Sequence, residues 1–271
     1  APADIEYLGS ETKILGDITI DYNADDAELK NVIDLALSEL LDIGYNTELL
    51  ESSAISTIIS VSVDESISNT AESYELDITL DGITLRGSNH AGVFYGLQTL
   101  IQILETAKTE NLSTISSVSI KDSPRFQWRG MMLDVARHMF PADFVKRYID
   151  IIAEHKMNVF HWHLTEDQGW RMPVEKYPKL EKISAWRKET LIGHYTDKPR
   201  RFDGKRYGGF YTKEEILDVI DYARKRSVTI VPEIEMPGHA TAALSAYPEL
   251  SCTGGPHEVE TLWGIHKEVY C

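Results

Sequence analysis

Three short, mostly apolar runs constrain this chain more than anything else in it: Gly130–Val135, Asn158–Leu164 and Val228–Ile234. After the first comes Pro141 and then Val145, Tyr148, Ile149 and Ile152 at helical spacing. Before the third, Thr212 and Glu215 have the spacing of a capping box, opening a helix with a stripe of Ile216, Val219, Ile220 and Ala223. Near-continuous apolar strands alternating with helices predict a parallel sheet covered by helices. Residues 171–211, rich in Lys, Arg, Tyr and Gly, read as a long loop with little regular structure.

Each run ends in reactive residues. The first closes on Asp134-Val135-Ala136-Arg137-His138, the second on His163-Leu164-Thr165-Glu166-Asp167-Gln168, the third on Glu233-Ile234-Glu235-Met236-Pro237-Gly238-His239. In β/α folds ligands bind at the carboxyl ends of the strands, so three such ends in succession point to an active site. Every element also has a plainer reading. Arg137 either pairs with a neighbouring carboxylate or clamps substrate hydroxyls with its rigid donor fork. His161 and His163, two apart on a strand, share a face and form either buried hydrogen-bonded histidines or an H-x-H metal pair. Glu166 and Asp167 either form a solvated loop end or belong to the site, with Glu166 or Glu235 orienting His239. His239 is itself either a turn residue or a charge-stabilising imidazole beside a general acid. Trp128, Trp162 and Trp170 fit a core or a sugar platform.

Residues 1–122 have another character. They hold 22 acidic and 5 basic residues, against 21 and 22 in residues 123–271, and the whole chain carries −16. That sign argues against nucleic acid, and no apolar run approaches the roughly 18–20 residues of a membrane span. Leu29, Val32, Ile33, Ala36, Leu37 and Leu40 predict an amphipathic helix, and a second helix is expected over about 91–107. Ile59, Val61 and Val63, then Tyr74, Leu76, Ile78 and Leu80, alternate with polar residues and predict half-exposed antiparallel strands; Asp81-Gly82 is a two-residue hairpin signal. The rhythm changes at Asp122-Ser123-Pro124, giving an α+β domain over 1–122 and a β/α domain over 123–271. Ala1-Pro2-Ala3-Asp4 has no signal-peptide character, as a processed chain would also lack it. Cys252 and Cys271 enclose 18 residues and are either a disulfide or reduced thiols. A disulfide favours a secreted or periplasmic location.

The motifs carry a resemblance. Residues 126–138 (Phe-Gln-Trp-Arg-Gly-Met-Met-Leu-Asp-Val-Ala-Arg-His), 158–171 (Asn-Val-Phe-His-Trp-His-Leu-Thr-Glu-Asp-Gln-Gly-Trp-Arg) and 232–239 (Pro-Glu-Ile-Glu-Met-Pro-Gly-His) resemble the first three barrel strands of the β-N-acetylhexosaminidases of glycoside hydrolase family 20. Ala91-Gly92-Val93-Phe94-Tyr95-Gly96-Leu97-Gln98-Thr99-Leu100 resembles the helix of that family's accessory domain. The resemblance implies an accessory α+β domain followed by the first portion of a (β/α)8 TIM barrel. The implied activity is removal of terminal β-linked N-acetylglucosamine or N-acetylgalactosamine from oligosaccharides, without cofactor or metal. In that mechanism the sugar's own acetamido oxygen attacks the anomeric carbon. By position, Arg137 would hold the 3- and 4-hydroxyls and His239 would support the general acid, steadied by Glu166 and Glu235. Glu166 stands where the family often has Asp. The family's Gly-Gly-Asp-Glu, which carries the acetamido-orienting Asp and the acid, does not occur here. At 149 residues the second domain is also short for a barrel of about 250. The expectation is therefore an N-terminal portion whose partner is the rest of the barrel. Two rivals are a non-catalytic N-acetylhexosamine-binding fragment and a metal-dependent hydrolase using His161 and His163.

Overall fold

Alternation in the acidic stretch builds a sheet. The computed structural model describes residues 2–47 and 56–271, which divide into two units. The first comprises residues 2–129 with 154–156 and 225–227. Its strands are β1 (Asp4–Lys13), β2 (Asp17–Asp21), β3 (Asn46–Thr47), β4 (Thr57–Val63), β5 (Tyr74–Thr79), β6 (Gly82–Gly87) and β7 (Thr114–Asp122), in the order β1-β7-β5-β6-β4-β2-β3. Helix α1 (Ala27–Asp42) buries Leu29, Val32, Ile33, Ala36 and Leu40, while Leu37 is half-buried. Asp26 caps it, accepting from the amides of Glu28 and Leu29.

Two expectations need correction. Strand β4 runs parallel to both β2 and β6; only the β1–β7, β5–β7 and β5–β6 pairs are antiparallel. Alternation reports which face is buried and carries no information on a neighbour's direction; here α1 lies in the crossover from β2 to β4, and β5 lies in the connection from β4 to β6. The hairpin loop is Leu80-Asp81, because Thr79 pairs with Gly82, which already belongs to β6.

Helix α2 (His90–Thr109) packs against β5, β6 and α1. Its glycines let it approach closely: a Cβ on Gly96 would lie 2.3 Å from Leu85 Cδ1, and one on Gly92 would lie 2.2 Å from the Ser73 carbonyl oxygen.

The second unit comprises residues 130–153, 157–224 and 228–271. Strands β8 (Gly130–Asp134), β9 (Val159–His163) and β10 (Thr229–Glu233) form a parallel sheet with β9 in the centre. Its register aligns Gly130, Val159 and Thr229 at one end and Asp134, His163 and Glu233 at the other. Helices α3 (Ala142–Glu154) and α4 (Lys213–Arg224) follow β8 and precede β10. The capping box is present: Glu215 N donates to Thr212 Oγ1 at 3.1 Å, and Thr212 N to Glu215 Oε2 at 2.8 Å. Of the expected stripe on α4, Val219 and Ala223 are buried, Ile216 is half-buried and Ile220 is exposed.

Burial in the sheet is uneven. β9 is almost wholly buried, whereas Met131 and Met132 on β8 are exposed and β10 is at most half-buried. Among the described residues, β8 and β10 each have one strand partner, so their outer edges lack the cover that continuous apolar strands imply. Residues 171–211 are more ordered than expected. They contain a π-helical turn (Leu180–Ser184) and two short antiparallel pairs, Trp186–Arg187 with Tyr207–Gly208 and Leu191–Ile192 with Arg201–Phe202. Trp162 and Trp170 are core residues; Trp128 is exposed.

Candidate active site

The sheet register gathers the polar strand ends. Asp134, the last residue of β8, turns the chain by accepting from the amides of Ala136 and Arg137, both at 3.0 Å. This aims Arg137 back at the sheet. Its Nη1 donates to Asp134 Oδ2 at 2.6 Å, and its Nη2 donates to Glu166 Oε1. Beyond β9, Thr165-Glu166 pairs with Gly169-Trp170 as a tight antiparallel turn that buries Glu166 and Asp167. Beyond β10, Pro237-Gly238 delivers His239 in the left-handed region at φ +51°, a conformation few non-glycine residues adopt.

These groups meet around one imidazole. His239 Nδ1 lies 2.8 Å from Glu166 Oε1 and 3.1 Å from Asp167 Oδ2. Asp167 is held in turn: its Oδ1 accepts from Thr241 N at 3.0 Å and Thr241 Oγ1 at 2.8 Å. The Glu166 and Asp167 side chains are 1% and 0% exposed, so both carboxylates are spent inside the protein. Burial pushes the Glu166 carboxyl up to about 7, against the pull of the Asp167 amide, Arg137 and His239. Burial pulls the His239 imidazole down, but Glu166 and Asp167 outweigh it and its pKa is raised. The result is a histidine stabilised as a cation, resting on two carboxylates and facing outward from the strand ends.

A second layer lies beneath. His161 Nε2 is 2.5 Å from Glu233 Oε2. His163, 5% exposed, lies 3.6 Å from Glu233 Oε2 and 3.5 Å from Glu235 Oε1, with no hydrogen-bond partner at either ring nitrogen. Its pKa is lowered by burial; that of Glu235 is raised by burial and by the hydrogen bond and charge of Glu233. Among the described residues, His163, Glu233 and Glu235 bring ligand-type atoms within 4.8 Å of one another, as do Glu166, Asp167 and His239, whereas His161 joins neither set.

Arg137, Glu166 and His239 are thus brought together, whereas Glu235 faces His163 and reaches His239 only through its charge. Sequence reasoning assigned no role to Asp134 or Arg171 and left Asp167 behind Glu166. Arg171 is fully buried and donates to the carbonyls of Val135, Ala185, Gly209 and Ala136 at 3.0, 2.8, 2.9 and 2.5 Å. It ties the β8 turn to the loop over 185–209, and burial lowers its pKa to about 10. The available signal was the Gly169-Trp170-Arg171 run itself: a Cβ at Gly169 would sit 2.2 Å from the Arg171 guanidinium. Cys252 and Cys271 form a disulfide.

Comparison with known proteins agrees along the chain. Residues 126–271 match the model for the glycosyl hydrolase family 20 catalytic domain, and residues 1–123 match the model for domain 2 of that family. A beta-hexosaminidase of Porphyromonas gingivalis is 40% identical over 253 residues, which is 90% of this chain and 31% of that protein. One from Vibrio furnissii is 44% identical over 178 residues, 65% of this chain and 28% of that protein. The chain therefore spans about a third of the length of these relatives. Among solved structures, a Streptomyces plicatus beta-hexosaminidase mutant in complex with GlcNAc superposes with a TM-score of 0.81 at 33% identity, covering 100% of this chain and 52% of that one. The Bacteroides fragilis beta-N-acetylhexosaminidase gives 0.75 at 32% identity, covering 100% and 49%.

Proposed function

The chain belongs to glycosyl hydrolase family 20, and from that premise we propose that it forms part of an exo-acting β-N-acetylhexosaminidase, removing terminal β-linked N-acetylglucosamine or N-acetylgalactosamine from oligosaccharides. The observation that carries this reading is the continuous Asp134–Arg137–Glu166–His239 arrangement at the ends of three adjacent parallel strands. Asp134 and Glu166 fix the plane of the Arg137 guanidinium, which presents its fork to the 3- and 4-hydroxyls of the terminal sugar. Glu166 and Asp167 hold His239 as a cation whose outward face supports the general acid.

The chemistry is substrate-assisted. The acetamido oxygen attacks the anomeric carbon, the glycosidic C–O bond breaks, and the leaving oxygen takes the acid's proton. Water then opens the resulting oxazolinium ring with retention. The adjacent Asp-Glu pair that would orient the acetamido group and donate the proton has no counterpart at the ends of β8, β9 or β10. It would come from further strands paired with the uncovered edges of β8 and β10, making the remainder of the barrel a partner of this chain. The disulfide supports a secreted or periplasmic location.

The test is release of nitrophenol from p-nitrophenyl N-acetyl-β-glucosaminide and galactosaminide. Turnover by the full-length protein, none by residues 1–271 alone, and its return when the remaining strands are added is the expected pattern. A full-length protein inert on both substrates would refute the proposal. Robust turnover by residues 1–271 alone would move the acid onto this chain's own carboxylates.

A further inference from the structure

We infer that Arg187 is a positioning residue for the sugar site: it fixes the peptide that carries Arg137, and through Arg137 it sets how tightly the terminal sugar is held. The inference rests on the function proposed above and concerns a residue outside the three strand ends. Arg187 is 3% exposed, and its Nη1 donates to the Arg137 carbonyl at 2.6 Å. Its Nε donates to Thr190 Oγ1 at 3.1 Å, and its guanidinium lies over the Tyr207 ring, 4.5 Å from the ring centre. Among the described residues no carboxylate pairs with it, and Asp203 acts on it only through its charge. A guanidinium taken out of water is costly without a counter-charge, so its place is set by the neutral groups it holds, and the Arg137 carbonyl is one of them.

The turn after β8 is gripped along its length. Arg171 takes the carbonyls of Val135 and Ala136, Arg187 takes that of Arg137, and Met139 N donates to Tyr207 Oη at 2.9 Å. Arg187 and Tyr207 are register partners in the antiparallel pair of Trp186–Arg187 with Tyr207–Gly208. A Cβ on Gly208 would lie 1.9 Å from the Ala185 carbonyl oxygen, so the pair closes this tightly only because position 208 is glycine. Arg137 is thereby fixed at both ends. Asp134 and Glu166 hold its guanidinium, which sets the direction of the fork. Arg187 holds its peptide, which sets how far the fork reaches. Misplacing a binding group by about 1 Å costs on the order of a hundredfold, so an anchor on the backbone bears directly on binding.

The experiment uses the full-length protein with p-nitrophenyl N-acetyl-β-glucosaminide for kinetics and free N-acetylglucosamine for calorimetry. Arg187→Met, which keeps the bulk of the stem and removes the donors, is expected to raise KM by about 30-fold with a smaller change in kcat. Arg187→Lys still offers a donor to the Arg137 carbonyl and should stay within about fivefold of wild type. In an Arg137→Ala background the carbonyl of residue 137 remains but the guanidinium is gone. There Arg187→Met should change KM by less than about twofold, because the two residues act as one unit. A KM penalty of equal size in both backgrounds, or an unchanged KM in Arg187→Met, would overturn the inference. Should Arg187→Met not fold, Thr190→Val loosens the same guanidinium by removing the Nε acceptor. A KM rise of about threefold in the wild-type background alone then supports the inference, and no rise overturns it. If wild type binds N-acetylglucosamine without hydrolysing the nitrophenyl substrate, the proposed activity falls and the dissociation constant replaces KM in each comparison. A wild type that neither hydrolyses nor binds refutes both.

Discussion

The two units handle charge in opposite ways. Residues 1–122 are strongly acidic, yet among the described residues of the first unit the fully buried polar side chains are uncharged: the hydroxyls of Thr12, Thr19, Thr57, Ser73, Ser88, Thr99 and Ser117, and the amide of Gln98. Residues 123–271 are nearly neutral, but the second unit buries Glu166, Asp167, Arg171 and Arg187. Net charge is therefore a poor guide to where chemistry resides. Among the described residues no acid of the first unit is fully buried, and half-buried ones such as Glu75 and Asp122 keep contact with water while pairing with Arg86 and Lys156. Each buried charge of the second carries a desolvation penalty of several kcal/mol that only well-placed partners offset. Such charges persist where an arrangement needs them, and here they surround the strand ends.

The sharpest way to break this contrast is to remove one central residue from each unit. Arg171→Ala leaves the buried carbonyls of Val135 and Ala136 without the guanidinium donor, while Ala185 keeps the Gly209 amide, and should cost about 4 kcal/mol. Leu76→Ala, at a fully buried position on β5, should cost about 3 kcal/mol through its cavity. Shape-preserving replacements separate the two causes. Leu76→Met should recover to within about 1.5 kcal/mol of wild type, whereas Arg171→Met should remain as damaging as alanine because the carbonyls stay unpaired. Urea midpoints measure all four. A benign Arg171→Met would show that the second unit's buried charge is packing and nothing more.

A smaller effect distinguishes the units by pH. The Glu166 carboxyl is pushed up to about 7 in the folded protein, from an ordinary value near 4.5. Its protonation therefore contributes stability that is fully present below about pH 4.5 and lost as pH rises through 7. His239, also raised, loses its contribution in the same direction above its ordinary value of 6.5. Melting temperature should fall from pH 5 to pH 7.5, and Glu166→Gln, which cannot ionise, should flatten that fall by on the order of 2 kcal/mol. Parallel curves for wild type and variant would mean that Glu166 is ionised throughout, held by Arg137 and His239.

How much of this was legible in the sequence follows from the range of each interaction. Helix and strand placement was legible because it depends on local periodicity: Leu29 to Leu40 define α1, and the three apolar runs became β8, β9 and β10. The direction of β4 was not, because pairing with β2 and β6 is decided by the crossover and not by Ile59 and Val61 themselves. At the site, Arg137, Glu166 and His239 were legible as strand-end residues, and the structure brings them into contact. Asp167 was overshadowed by its neighbour, since two adjacent acids look alike until one finds Thr241 and His239. Arg171 was hidden because its four carbonyl partners come from segments up to 38 residues away, a relation no spacing rule contains.

The weakest expected effect tests the contrast from the other side, with a polar feature of the second unit that remains in water. Thr212 and Glu215 cap α4 reciprocally and both are exposed. Thr212→Ala removes one acceptor at a helix start, where water can partly replace it, and should cost about 1 kcal/mol. Thr212→Ser keeps the hydroxyl and should restore most of that. Neither variant should change the pH slope set by Glu166 and His239, because the cap shares no partner with them and independent sites add. Denaturation midpoints at pH 5 and pH 7.5 give both answers. If the loss matched that of Arg171→Ala, burial would not be what makes charge expensive in this unit, and the division between the two units would rest on position alone.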